Sequence, residues 1–217
     1  MKSFAIIGIS GFGYFLAKYL AEMGHGILAI DVDEEKIERV KPFVQKAIIA
    51  DVRDKNTLTK LGLSDYDSVF VCLRESLDAS VLVTLYLREL GVKQIVAKAM
   101  TEDHGKILDM LGATRVIFPE RDEAYRLAAT MESAYLLDAF PLGDGISMIE
   151  MAPPKKFVGK TLAELDLRNK FGILVLVIKE IIPKNIVKIP AADQVLKDSD
   201  TLVLLGHDED LKKIQRQ

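Results

Sequence analysis

Cysteine and histidine are scarce in this sequence of 217 residues. The single cysteine, Cys72, excludes an internal disulfide framework and is typical of a reducing compartment. Because it lies within an apolar run, we expect a buried strand thiol rather than a nucleophile. The three histidines, His25, His104 and His207, lack the spacing of metal ligands. These scarcities exclude a disulfide scaffold and give no signal for a histidine metal centre.

Long apolar runs and a surplus of basic residues are also lacking. The longest apolar stretch late in the chain, residues 173–178, is far shorter than the roughly 20 residues that cross a membrane. The net charge of −3 argues against a general nucleic-acid binder. No small-residue cleavage site follows the apolar start of the chain, so we expect no signal peptide and a cytoplasmic protein.

What the chain does contain is a series of short apolar, β-branched runs that begin 20 to 26 residues apart. Amphipathic segments separate them, and several of these end at a glycine, as helices do. Continuous apolar strands that alternate with helices predict a parallel sheet covered on both faces. We therefore predict an α/β fold, a Rossmann-like doubly wound parallel sheet over residues 1–119. The six runs are residues 4–9, 27–30, 47–50, 69–73, 95–97 and 116–118.

The pattern changes after Pro119. Residues 120–140 predict one long crossover helix with an apolar side that includes Leu127 and Met131, and we expect this side to pack against another subunit. The sequence Pro-Leu-Gly-Asp-Gly at residues 141–145 indicates a linker, so the crossover segment is assigned to residues 120–143. Residues 144–217 predict a small α+β domain that dimerises.

The glycine-rich turn after the first run is typical of a dinucleotide-binding unit. It comprises Gly8, Ile9, Ser10, Gly11, Phe12 and Gly13, followed by a predicted helix. Glycines let the backbone approach a phosphate, and the helix N-terminus offers free N–H groups. Ser10 stands where the fingerprint has its second glycine, so the alternative is a degenerate fold with an empty site.

Acidic residues end the second and third runs, at the edge of the sheet where nucleotides bind. Asp31 is expected to accept the ribose hydroxyls and to repel a 2′-phosphate, which disfavours NADP, with Val32 and Asp33 beside it. Asp51, followed by Val52, is expected to lie near the adenine ring and to read its amino group. An equally good interpretation is that Asp51 has only a structural role, in the turn that follows the strand.

Four further residues complete the predicted site. Leu73 and Arg74 follow the fourth run, where Arg74 is placed either to contact phosphate or to remain solvated. Lys98 is a charge at the end of the fifth run, for which we favour a binding role. Glu120, after the sixth run, either caps the long helix or ligates a cation near the phosphates.

No catalytic set accompanies this predicted site. Tyr14 and Lys18 have the spacing of the short-chain dehydrogenase pair, but those enzymes carry it much later in the chain. The last 70 residues offer no acid or base for a substrate over a nicotinamide. The sequence therefore favours a nucleotide sensor; an NAD-dependent oxidoreductase and a scaffold with a vestigial site are the alternatives.

Several motifs together resemble the RCK (KTN) domains of potassium transport, in particular regulatory subunits of the KtrA/TrkA type. They include the Ile-Ile-Gly-x-x-x-Phe-Gly turn at residues 6–13 and the Asp-x-Asp-Glu-Glu-Lys stretch at 31–36. The others are Val-Ala-Lys-Ala at 96–99, Val-Ile-Phe-Pro-Glu at 116–120 and Val-Gly-Lys-Thr-Leu at 158–162. The resemblance covers nearly the whole chain, with an RCK-N domain and a small RCK-C domain.

The resemblance implies a cytosolic homo-oligomer, built from dimers and commonly an octameric ring, at the inner face of the cell membrane. Such a ring docks on a membrane-embedded potassium channel or transporter. Its shape changes when ATP is exchanged for ADP, or NADH for NAD. The resemblance also implies a divalent or sodium ion held by Glu120 near the phosphates. In some relatives the C-terminal domain binds cyclic di-AMP, at positions that match Leu162, Arg168 and Pro190.

The phosphate turn departs from the family pattern at two positions. Relatives of the KtrA type have a glycine where this chain has Ser10, and an arginine that senses the ATP γ-phosphate where it has Gly11. The resemblance therefore does not extend the usual discrimination of ATP from ADP to this chain. ATP, ADP, AMP, NAD and NADH all remain candidate ligands.

Overall fold

The computed structural model describes residues 1–73, 77–132, 134–180, 182 and 186–215. The chain divides into two compact units, Met1–Glu120 and Arg121–Gln217. Within the described ranges, we find no helix with the length and apolar character that a membrane crossing requires.

The first unit contains six parallel strands. They are β1 (Ser3–Ile7), β2 (Gly26–Asp31), β3 (Lys46–Ile49), β4 (Ser68–Val71), β5 (Ile95–Lys98) and β6 (Arg115–Ile117). Their order in the sheet is β3-β2-β1-β4-β5-β6, so the winding direction reverses between β1 and β4. The predicted doubly wound sheet is confirmed, and the reversal point is where such sheets bind ligands.

Five helices of this unit connect the strands. They are α1 (Gly11–Glu22), α2 (Glu34–Val40), α3 (Lys55–Lys60), α4 (Leu77–Glu89) and α5 (Glu102–Met110). Four begin at a side chain that accepts a backbone N–H of the first turn: Ser10, Asp33, Asp54 and Thr101. Such caps satisfy donors that have no partner inside the helix, which is why these helices begin where they do.

Strand β1 lies so close to α1 and β4 that only glycine fits at two positions. A Cβ on Gly13 would lie 2.3 Å from the carbonyl oxygen of Gly8. A Cβ on Gly8, which has a φ of +89°, would lie 2.9 Å from the backbone of Cys72 and Leu73. These close approaches let the start of α1 sit directly over the carboxyl end of β1.

The second unit contains an antiparallel sheet. Its strands are β7 (Leu136–Gly143), β8 (Ile146–Met151), β9 (Leu174–Glu180), β10 (Ile186–Lys188) and β11 (Asp200–His207), in the order β10-β9-β11-β8-β7. The helices are α6 (Pro119–Glu132), which starts in the first unit, α7 (Leu162–Leu165), α8 (Leu167–Phe171) and α9 (Asp208–Gln215). The predicted small α+β domain is confirmed.

The long helix predicted for residues 120–140 is wrong beyond Glu132. Residues from Leu136 onward form β7, which pairs with β8 as a hairpin. Asp144 and Gly145, at the tip, both have positive φ, as a two-residue type I′ turn requires. The predicted linker at 141–145 is therefore the end of β7 and this turn. The apolar residues of this segment are compatible with a helix or a strand. The Asp-Gly turn that follows favours a strand, because it allows β7 to pair with β8.

Glu180 is buried at the end of β9 among cationic and amide groups. Lys188 lies 2.9 Å from one of its carboxylate oxygens and Lys197 lies 3.6 Å from the other. Gln194 donates an amide hydrogen bond at 3.2 Å. The hydrogen bond from Lys188 is the main cause that lowers the pKa of Glu180. These contacts tie β10 and residues 194–197 to the central strands of the sheet.

The close approach at Gly13 predicts a specific loss of stability. Gly13→Ala is expected to lower the free energy of unfolding by about 1–3 kcal/mol, because the new methyl group would displace the Gly8 carbonyl. Urea unfolding followed by circular dichroism measures this. Gly11→Ala is the matched control, since a Cβ there meets nothing within 4 Å. Equal stabilities of the two variants would contradict the packing described here.

The Glu180 cluster predicts a pH-dependent contribution to stability. Because the folded-state pKa of Glu180 is lowered, its stabilisation is present above the ordinary glutamate pKa of about 4.3 and is lost as the pH falls below that value. Glu180→Gln is expected to lower the thermal midpoint at pH 7, with a deficit that shrinks below about pH 4.

Glu150→Gln is the control, because Glu150 has one lysine partner and its side chain is 24% exposed, against 7% for Glu180. A Glu180→Gln deficit that is constant with pH would contradict the role assigned to the carboxylate.

Candidate functional site

A cavity of about 370 Å³ lies at the carboxyl ends of the central strands of the first unit. The turn after β1, the ends of β2 and β4 and the segment after β3 form its wall. Nine of the predicted site residues are brought together there: Gly8, Ile9, Ser10, Gly11, Asp31, Val32, Asp51, Val52 and Leu73. The strand-end positions identified from the sequence thus share one concave surface.

Asp31 links the glycine-rich turn to β2. Its Oδ2 accepts the backbone N–H of Ile9 at 2.6 Å, and its Oδ1 accepts that of Asp33 at 3.0 Å. The residue is only 8% exposed. Each carboxylate oxygen has two lone pairs, so each keeps an acceptor position for a ligand hydroxyl.

Asp51 forms an ion pair with Arg53, and both residues line the cavity. The guanidinium contacts both carboxylate oxygens, at 2.6 Å from Nη2 to Oδ2 and 3.0 Å from Nε to Oδ1. The hydrogen bonds from Arg53 lower the pKa of Asp51 to about 2. Asp51 is therefore an anion at neutral pH, and the pair presents both an acceptor and a cation to the cavity.

Several predicted site residues lie away from this wall. Phe12 packs into the core beneath α1, and Gly13 is buried inside that helix. Asp33 caps α2, where its Oδ1 accepts the backbone N–H of Glu35 at 2.9 Å. Arg74 falls outside the described residues.

Lys98 and Glu120 form an ion pair with each other. Lys98 is 1% exposed at the end of β5, and its ammonium donates to the Glu120 carboxylate at the start of α6. A metal ion at Glu120 would have to compete with this internal cation. No group of three or more His, Cys, Asp or Glu side chains able to hold a metal ion occurs in the part of the chain that the structure describes.

Five residues of the cavity wall were not anticipated from the sequence: Lys36, Arg39, Arg53, Cys72 and Ala79. Lys36 and Arg39 are three positions apart on α2, so they share one helix face, which is a detectable signal. Burial raises the pKa of the Cys72 thiol to about 12. The thiol is therefore neutral at pH 7, as expected of a buried strand cysteine rather than a nucleophile.

The residues suggested for a second ligand lie in the second unit. Leu162 begins α7, and its backbone N–H donates to the carbonyl of Gln194 at 3.2 Å, so the chain just after Pro190 runs beside this helix. Arg168 is exposed on α8. A cyclic di-AMP site at these positions stays a prediction.

Family models match both parts of the chain. The TrkA-N domain model matches residues 4–119, and the TrkA-C domain model matches residues 146–217. Ktr system potassium uptake protein C of Bacillus subtilis is 36% identical over 216 residues, covering 100% of this chain and 97% of that protein. Ktr system potassium uptake protein A of the same organism is 34% identical over 216 residues, covering 100% of this chain and 96% of that protein.

A solved structure, that of the GsuK channel bound to NAD, has the same fold. Its TM-score is 0.67 at 20% identity, and the match covers 97% of this chain and 38% of that one. Two domain models in the expected order and full-length relatives above 30% identity establish the family. The chain belongs to the KtrA/TrkA family of potassium-uptake proteins, with a TrkA-N domain followed by a TrkA-C domain.

Proposed function

We propose that this protein is a cytosolic regulatory subunit of a potassium channel or transporter, controlled by an adenine nucleotide in the cavity of its first unit. The observation that carries the proposal is that the glycine-rich turn, Asp31 and Asp51 line one cavity at the reversal point of the sheet. Membership of a potassium-uptake family supplies the physiological context.

The cavity offers a different group to each part of a nucleotide. Phosphates fit at the turn and at the N-terminus of α1, where free N–H groups and the helix dipole favour anions. The ribose hydroxyls fit against the remaining lone pairs of Asp31. The adenine fits beside Val32 and Val52, with Asp51 as the acceptor for its amino group.

The class of ligand is an adenine mononucleotide or dinucleotide: ATP, ADP, AMP, NAD or NADH. The GsuK channel, which shares the fold, is bound to NAD in its solved structure. The family resemblance implies an arginine that contacts the γ-phosphate, and this chain has Gly11 at the matching position. We therefore expect weak discrimination between AMP, ADP and ATP.

Control of a pore requires that the nucleotide bind two conformations with different affinity, since a ligand shifts an equilibrium only by that difference. We propose that the conformations are those of a homo-oligomeric ring, built from dimers and octameric in total. One face of α6 suits a subunit contact, because Leu127 and Met131, which lie one turn apart, are 57% and 76% exposed. The ring would act from the inner face of the membrane on a membrane-embedded subunit.

We infer binding without catalysis. Cys72 is the one cysteine of the chain, and with a pKa of about 12 it is not a thiolate at neutral pH. The acids of the cavity wall, Asp31 and Asp51, are engaged by backbone N–H groups and by Arg53. An ion at Glu120 and cyclic di-AMP in the second unit stay predictions of the family resemblance.

The binding role of Asp31 can be measured directly. Asp31→Asn is expected to weaken adenine-nucleotide binding by about ten- to a hundredfold, because hydrogen bonds to a charged group contribute roughly 1.5–3 kcal/mol. Isothermal titration calorimetry with ATP, ADP, AMP, NAD and NADH, with and without magnesium, gives the affinities.

Asp54→Asn is the control, since Asp54 also accepts two backbone N–H groups but caps α3 outside the cavity. Unchanged affinity in Asp31→Asn with normal folding would show that the ligand binds elsewhere.

The transport role can be tested in cells. Expression of this chain is expected to restore growth at low potassium in a Bacillus subtilis strain that lacks Ktr system potassium uptake proteins A and C. These two proteins are chosen because they match this chain over almost their whole length. The Asp31→Asn variant is expected to restore less uptake, measured as rubidium influx, at equal protein level. Full uptake by a variant that no longer binds nucleotide would contradict nucleotide control.

A further inference from the structure

We propose that Lys36 and Arg39 form a subsite for a phosphate ester on the adenosine ribose, at its 2′ or 3′ oxygen. This inference rests on the proposed nucleotide function and names a further chemical group that the same site accepts. It departs from the expectation that Asp31 disfavours such a ligand.

The geometry is that of two adjoining cavities with a common wall. Beside the main cavity lies a smaller one of about 100 Å³, between the first turns of α1 and the face of α2. Ser10, Gly11, Lys36 and Arg39 line both cavities. The smaller cavity therefore adjoins the phosphate turn, and Lys36 and Arg39 are part of its wall.

The position matches the ribose side of a bound nucleotide. In doubly wound nucleotide folds the acid at the end of the second strand faces the ribose hydroxyls, and a nearby arginine accommodates a 2′-phosphate. Asp31 ends β2, and α2 follows it in the chain. A phosphate ester on a ribose hydroxyl at Asp31 would project toward Lys36 and Arg39.

Arg39 is available for an anion. No carboxylate lies within 4 Å of its guanidinium among the residues that the structure describes. The guanidinium carbon instead lies over the Tyr14 ring, 5.0 Å from the ring centroid. The ring holds the guanidinium near the cavity without using its N–H donors in an ion pair. Tyr14 also lines the smaller cavity.

Backbone N–H groups and the Lys36 ammonium partly compensate the negative charge of Asp31. Its two oxygens accept the N–H groups of Ile9 and Asp33 at 2.6 and 3.0 Å, and the Lys36 ammonium lies 4.0 Å from Oδ1. Lys36 also lies 3.7 Å from Asp33. These contacts reduce the repulsion that a free carboxylate exerts on a phosphate, and Arg39 adds a cation that Asp31 does not neutralise.

The test compares 5′-AMP with adenosine 2′,5′-bisphosphate and adenosine 3′,5′-bisphosphate, which distinguish the two ribose positions. Calorimetry on the full chain is expected to give one bisphosphate an affinity about tenfold higher than that of AMP, from its charge-assisted contacts. In Arg39→Gln and in Lys36→Gln this ratio is expected to fall to about one. Lys41 lies just beyond the end of α2 and pairs with Glu38, so Lys41→Gln is expected to retain the affinity ratio.

Three results would overturn the inference. If AMP binds and both bisphosphates bind more weakly, Asp31 excludes the ester and only the subsite fails. A preference that persists in Arg39→Gln would likewise rule out this cationic wall. If neither AMP nor the bisphosphates bind, the proposed nucleotide function fails, and the subsite fails with it.

Discussion

The carboxylate of Asp31 is the interaction on which the candidate site depends. By accepting the N–H of Ile9 and that of Asp33, it joins the turn after β1 to the start of α2. The turn cannot shift away from β2 without leaving a buried N–H unpaired, which costs about 1–3 kcal/mol. The cavity wall is thereby held in place without a ligand, and binding pays little for its ordering.

Within the described part of the chain, some charged side chains of the cavity wall have a partner of opposite charge, and one does not. Asp51 is held by Arg53 at 2.6 Å, and Lys36 lies between Asp31 and Asp33. Arg39 instead rests on the Tyr14 ring. On the side of α2, Arg39 is thus a cation with no carboxylate within 4 Å among the described residues, whereas Asp51 and Arg53 balance each other's charge. In the proposed nucleotide site, the Arg39 cation would attract a ligand phosphate before specific hydrogen bonds form.

The sequence predicted the first unit well because its strands are buried on both faces and read as continuous apolar runs. Residues at strand ends, such as Asp31 and Asp51, could be placed for the same reason. Lys36 and Arg39 were missed, since their spacing shows that they share a face of α2 but not that this face lines the cavity. The hairpin after α6 was predicted as a helix because the apolar residues near 136–142 fit both the helical and the strand repeat. Only the Asp144-Gly145 turn distinguishes a strand from a helix there.

The buried position of Cys72 limits the redox chemistry that the cavity wall can undergo. This one thiol of the chain is 1% exposed beneath the cavity and stays protonated up to a pH of about 12. Oxidants attack thiolates at accessible surfaces, and disulfide exchange requires the same. Cys72 is therefore insulated from the cellular thiol pool. Thiol oxidation and disulfide exchange at this residue are therefore no route by which the redox state of the cell acts on the cavity.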